Sequence, residues 1–167
     1  MINLKLDNNI IEYSKTLVKE NNFGQRGYDD GNQKEQLVGI ISENTVKQYL
    51  GFNLIKPNGY DDGYDLIYKG MLTDIKSMTR SVYPKKDYVN NLFDAQLNHK
   101  AEAFIFCSLN VSEKVLTICG WITKQDFKKK AVFYAKGTER TKGKNKFKLR
   151  ADNWEIQNIY LNKLEYE

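Results

Sequence analysis

The chain has 167 residues, enough for one domain and too few for two with adequate cores. Apolar residues at 41% and aromatics at 13% suffice for a packed interior, yet no window approaches the ~20 continuous apolar residues of a membrane helix. The net charge of +5 is unevenly spread: Lys128 to Arg150 carries ten Lys or Arg against one acid, Glu139, so the remainder is net acidic. Such a basic run either meets a polyanion, where each phosphate contact releases counterions, or is a solvated loop.

Met1-Ile2-Asn3-Leu4-Lys5 is followed by polar residues and lacks the apolar core of a signal peptide, so a cytosolic protein is expected, of a bacterium or of a phage-infected host. Cys107 and Cys119 are too few for a disulfide framework or a Cys-rich zinc site and read as buried thiols.

In chain order, Asn9 to Asn21 shows a loose helical pattern of apolar residues, and Phe23 to Asn32 is a Gly- and Asp-rich loop. A stronger helix is predicted from Gln33 to Leu50, stopped by Gly51. Phe52 to Lys56 reads as a short strand, broken by Pro57-Asn58-Gly59 and the turn Asp61-Asp62-Gly63. Tyr64 to Tyr68 and Met71 to Met78, joined by Lys69-Gly70, read as a β-hairpin. Ser81 to Leu97 reads as a loop leading into a short helix around Leu92 to Lys100. Ala103 to Leu109 and Val115 to Ile122 are predicted buried strands. Thr123 caps a short helix reaching Ala131. Val132 to Arg150 suggests an extended hairpin or loop, and Glu155 to Tyr160 a final edge strand. The pattern predicts a single domain with a mixed α/β or α+β fold. Its parts are an N-terminal helix and loop (1–32), a core (33–131) and a basic C-terminal extension (132–167).

On a strand, residues two apart share a face, so Asp74 and Lys76 are neighbours, with Ile75 and Ser77 on the other side. Asp65 opens the partner strand and can lie across the ladder from Asp74. Glu43 sits on the preceding helix in the stripe Ile40, Glu43, Val46, Leu50. An ionised carboxylate in an apolar stripe is expensive unless it meets a cation or donors. Mg²⁺ would supply that cation: it prefers hard oxygen ligands and is commonly held by one or two carboxylates. Asp65 and Asp74 are the candidate ligands, the Ile75 backbone carbonyl a third, and Glu43 an outer or second-metal ligand. Lys76 would orient or deprotonate a water, or neutralise charge growing on a phosphate. Asp61 and Asp62 rival Asp65, and Glu35 rivals Glu43.

The helix Ser42 to Gly51, then Gly63-Tyr64-Asp65-Leu66-Ile67, then Thr73-Asp74-Ile75-Lys76-Ser77, resembles the PD-(D/E)xK nuclease superfamily over about Ser42 to Ser77. That family includes restriction endonucleases, archaeal-type Holliday-junction resolvases and many phage nucleases. The strand Ala103 to Leu109 and the segment from Gly120 to Phe127 are similar to what many members carry behind the core. The signature's proline does not directly precede Asp65; Pro57 lies upstream. The resemblance implies a restriction-endonuclease-like mixed sheet flanked by helices, the centre Glu43, Asp65, Asp74 and Lys76, and Mg²⁺ with Mn²⁺ able to substitute. It also implies a DNA endonuclease, in many relatives of this size a homodimer. Gln96 matches the glutamine that members often place after the core strand.

Arg80, Lys85 and Lys86 follow the Asp74–Lys76 strand either as phosphate contacts or as a solvated loop, and Lys142, Lys144, Lys146, Lys148 and Arg150 are candidate contacts in the basic run, where Phe133, Tyr134 and Phe147 are interleaved. His99 is the only histidine, which argues against two-histidine or His-metal chemistry. No Walker-type loop is present, so no nucleotide cofactor is expected. Two further readings stay open: a DNA-binding module that kept the nuclease frame without activity, and a protein-interaction domain whose acidic cluster is a surface patch. A Holliday-junction-type resolvase is an alternative role for the enzyme itself.

Overall fold

The computed structural model describes residues 1–21, 32–56, 63–142 and 145–166. The apolar runs that dominate the sequence form the two central strands, β5 (Ala103–Asn110) and β6 (Val115–Thr123), numbered by chain order among all the strands. Every residue of β5 is buried, as a strand covered on both faces requires. Around them stand β1 (Ile2–Lys5), β2 (Leu66–Tyr68) and β3 (Met71–Thr79) in the order β1-β6-β5-β3-β2. β3 runs parallel to β5 and the other neighbours are antiparallel, so the sheet is mixed. The chain is a single-domain α+β fold, a mixed sheet flanked by helices.

The alternation of β5 divides the interior. Ile105, Cys107 and Leu109 face one side, where they pack with Ile41 and Val46 of α2 (Gln33–Tyr49); α1 (Asn8–Glu20) packs against α2. Phe104 and Phe106 face the other, where they meet Phe127 of α3 (Lys124–Lys130). That second layer is completed by a small sheet of β4 (Val89–Phe93), β7 (Val132–Tyr134) and β10 (Asn153–Gln157), in the order β4-β10-β7. A separate two-stranded sheet is formed by β8 (Glu139–Lys142) and β9 (Asn145–Lys148).

The caps follow local chemistry. Asn32 accepts from the Lys34 and Glu35 amides while Glu35 reaches back to the Asn32 amide, a capping box that starts α2. Thr123 accepts from the Asp126 amide at 3.1 Å and starts α3 as predicted. Lys69 (φ 50°) and Gly70 (φ 75°) both have positive φ, the requirement of the two-residue hairpin turn between β2 and β3.

Several expectations need correction. Phe52 to Lys56 is not a strand: the Asn44 side chain takes the Ile55 amide and the Tyr13 hydroxyl donates to the Ile55 carbonyl, which satisfies that backbone without a ladder. Ser81 to Leu97 contains β4 followed by a 3-10 turn, Asp94–Asn98, in place of the expected helix. β10 is the middle strand of its sheet rather than an edge. The N-terminal residues add β1 to the main sheet, a strand not expected from the sequence. The apolar stripe of α2 is also rotated. Ile41, Ser42, Thr45 and Val46 are buried, Ile40 turns toward Leu17 and Ile55, and Glu43 is left at the margin of the packed face, its side chain mostly covered.

Candidate active site

The hairpin register pairs Leu66 with Thr73, and the Asp65 amide extends the ladder by donating to the Thr73 carbonyl at 2.9 Å. There β2 stops. The Asp65 side chain takes over the pairing, its Oδ2 accepting the Ile75 N–H at 2.6 Å. In a strand, the N–H and C=O of one residue point to the same flank, so the Ile75 carbonyl faces the side on which Asp65 stands.

Asp74 and Lys76 pair in register with Phe104 and Phe106 and so lie on the face covered by α3 and the small sheet. Lys76 Nζ is 2.6 Å from Asp74 Oδ2, and both side chains are mostly buried. Ile75 and Ser77 point to the α2 face. Ser42 donates its hydroxyl proton to the Val38 carbonyl at 2.8 Å, which leaves Ser77 to donate across to Ser42 Oγ at 2.7 Å. This bond ties α2 to β3 one residue away from Glu43 and two away from Ile75. Glu43 itself is met by Lys47 Nζ at 2.5 Å, with only 15% and 13% of the two side chains exposed.

The electrostatics of the three carboxylates converge on Asp65. Burial pushes its carboxyl well above the ordinary value of 3.8, the negative charges of Glu43 and then Asp74 push it further, and Lys76 and the Ile75 amide oppose the shift. Negative charge is thus in surplus around Asp65, and its donors are hard oxygens. Among the described residues no group of three or more His, Cys, Asp or Glu is gathered closely enough to hold a metal. The set available is two carboxylates on one strand pair and the Ile75 carbonyl on the same flank. That set fits Mg²⁺, which needs only one or two carboxylates and keeps waters for the rest.

The rival carboxylates separate. Glu35 is spent on the capping box, about 12 Å along the helix axis from Glu43 at 1.5 Å per residue. Asp61 and Asp62 lie outside the described residues.

The candidate phosphate contacts are dispersed. The Arg80 guanidinium donates to the Val89 carbonyl at 2.5 Å and lies over the Tyr88 ring, which commits it to holding β3 against β4. The Lys85 and Lys86 side chains are exposed, while their carbonyls accept from Asn158 and the Ile159 amide. Gln96 Oε1 accepts from the Phe93 amide at 3.3 Å, a local brace. Lys146 pairs with Glu139 at 2.9 Å, and Lys148 and Arg150 are exposed. Lys142 ends β8, and Lys144 lies outside the described residues.

Two lysines were missed from sequence. Lys47 was legible as the i+4 partner of Glu43. Lys124, the first residue of α3, carried no such signal. Its amine donates to the His99 carbonyl at 2.7 Å. Burial and then the Lys128 charge lower its pKa, while Glu102 and Asp74 oppose them, so it stands within electrostatic range of the Asp74 end of the site.

No family model matches the chain, and comparison with curated proteins and with solved structures also finds no match.

Proposed function

We propose that this chain is a metal-dependent endonuclease that hydrolyses phosphodiester bonds in DNA, with Asp65, Asp74 and Lys76 as its reacting centre and Glu43 in support. The observation that carries the reading is the Asp74–Lys76 pair beside the desolvated, charge-crowded Asp65 carboxyl. The residue pattern, similar to that of PD-(D/E)xK nucleases, adds to it.

Asp65, Asp74 and the Ile75 carbonyl would hold Mg²⁺, or Mn²⁺ in its place. The ion would offset phosphate charge and acidify a water. Asp65 also fixes the geometry of β3 through the Ile75 amide, so the same carboxylate both binds and positions. Lys76, its ammonium held against Asp74, would orient the attacking water or offset charge on a phosphate oxygen as it builds there. Glu43, held by Lys47, keeps the negative potential high at Asp65.

A non-catalytic DNA-binding module is the second reading. It is favoured by the way two of the carboxylates already have lysine partners, Lys76 at Asp74 and Lys47 at Glu43.

The deciding experiment presents plasmid, linear duplex, single-stranded and four-way-junction DNA to the protein with Mg²⁺, Mn²⁺ or EDTA. Cleavage should need the metal and fall at least ~100-fold in Asp74→Ala and in Lys76→Ala. Preference for the junction would identify a resolvase-type role. Absence of cleavage on all four substrates, with DNA binding intact in both variants, would leave the binding module.

A further inference from the structure

The β8–β9 pair stands apart from both other sheets, and the described side chains of β9 are all exposed. An isolated two-stranded ribbon is marginal in water unless something holds it. Here it is held. Arg140 on β8 makes a two-pronged bond to Glu155 on β10, its Nε 3.1 Å from Oε1 and its Nη2 on Oε2. The same guanidinium lies 4.0 Å over the Tyr134 ring. At the base, the Gly137 amide donates to the Leu149 carbonyl, the Leu149 amide to the Thr138 carbonyl, and the Lys136 amide to Asp152 Oδ1.

The register sets which face looks outward. Arg140 pairs with Phe147, and both share the face that Arg140 turns toward Glu155. Glu139, Thr141, Lys146 and Lys148 therefore share the opposite face. Its one acid, Glu139, is engaged by Lys146 in an exposed pair that is weak in water and readily exchanged for a phosphate. Lysines on an edge also guard against sheet-to-sheet aggregation. That purpose needs charge alone. It does not need a two-pronged Arg–Glu clamp with a buried carboxylate, which makes sense where a ribbon must be held at a set angle.

We propose that the β8–β9 ribbon is an arm that enters the major groove of duplex DNA, with Lys146 and Lys148 on the phosphates. A B-form major groove, about 12 Å wide, admits a two-stranded ribbon as it stands, whereas the minor groove at about 6 Å must first be widened, and the A-form major groove is too deep and narrow. The ribbon is clamped to β10, whose Trp154 and Ile156 pack inward, so Glu155 and the arm stand on the outward face of that small sheet. This rests on DNA being the substrate of the proposed reaction, not on cleavage itself.

The test is fluorescence anisotropy in EDTA with labelled duplex DNA, titrated with NaCl and competed by the matching single strand or RNA duplex. Lys146→Glu with Lys148→Glu should weaken duplex binding at least ~10-fold and shrink the salt slope by about 2, one unit for each phosphate no longer neutralised. Arg140→Met, which releases the clamp and leaves both lysines, should weaken it too. Both ribbon variants are checked for an unchanged melting transition of the body. Unchanged affinity and slope in the double lysine variant would overturn the proposal, as would equal competition by RNA duplex or single strand. A chain that binds duplex through the ribbon and never cleaves would refute the nuclease reading and leave the arm standing.

Discussion

Asp65 holds together the strand end, the charge cluster and the candidate metal site, and it does so at a cost to stability. Its folded-state pKa lies above its ordinary value, so between the two the native state keeps a proton that the unfolded chain has lost. Stability from this group is complete below the ordinary carboxylate range and is lost as pH rises through the folded value. Asp65→Asn should therefore melt higher than the wild type at neutral pH, and its melting temperature should vary less with pH above that range. Differential scanning fluorimetry across about pH 4–9 checks both, and a variant no more stable than the wild type at neutral pH would count against the crowded-charge account. Added Mg²⁺ should raise the wild-type melting temperature and leave Asp65→Asn nearly unmoved, because the surplus charge the ion relieves is gone. Ser77→Ala removes the donor that binds α2 to β3 and should cost about 1–2 kcal/mol by urea unfolding.

At the scale of elements, β6 carries an irregularity that serves its neighbours. The register between β5 and β6 shifts between Phe106 and Cys107, and Gly120 sits beside the shift with φ 146°. A side chain there would place its Cβ 2.5 Å from the Asn162 carbonyl oxygen, where the returning C-terminal segment makes paired hydrogen bonds with Trp121. Gly120→Ala should destabilise by about 1–3 kcal/mol from strained backbone and displaced segment together. Equilibrium unfolding measures this, and an Ala variant as stable as the parent would mean the segment yields freely. The hairpin turn and the Thr123 cap were legible because each needs only its own few residues. The strand read at Phe52 to Lys56 failed because Asn44 and Tyr13, distant in sequence, supply its hydrogen bonds.

Across the whole molecule, the chain closes on itself. The C-terminal segment runs past Trp121 to β2, where the Tyr68 hydroxyl donates to the Glu165 carbonyl and accepts its amide, and Leu164 enters the α2-side core at 2% exposure. The strand so clasped is the one that follows directly on Asp65. Leu164→Ala should cost about 2–4 kcal/mol with an unchanged m-value, and it should lower any cleavage rate at temperatures where the fold persists, by loosening β2. Residues 132–167, expected as an extension, thus supply β10 to the second layer and a core leucine to the first.

What the sequence by itself determined is what depends on short range and on pattern. The two central strands follow from their apolar runs, the hairpin from Lys69-Gly70, the α3 start from Thr123, and the shared face of Asp74 and Lys76 from the two-residue period of a strand. What only the tertiary structure decided are relations between distant segments. These include the parallel pairing of β3 with β5, the rotation of α2 that leaves Glu43 at its margin, and the capture of the Ile75 amide by Asp65. Arg80 turned inward against Val89 and the clamp of Arg140 on Glu155 belong with them. The physical reason is the same in each case. A local preference is worth a few tenths of a kcal/mol to about 1 kcal/mol per residue, and burial or a desolvated hydrogen bond supplied from elsewhere in the fold outweighs it.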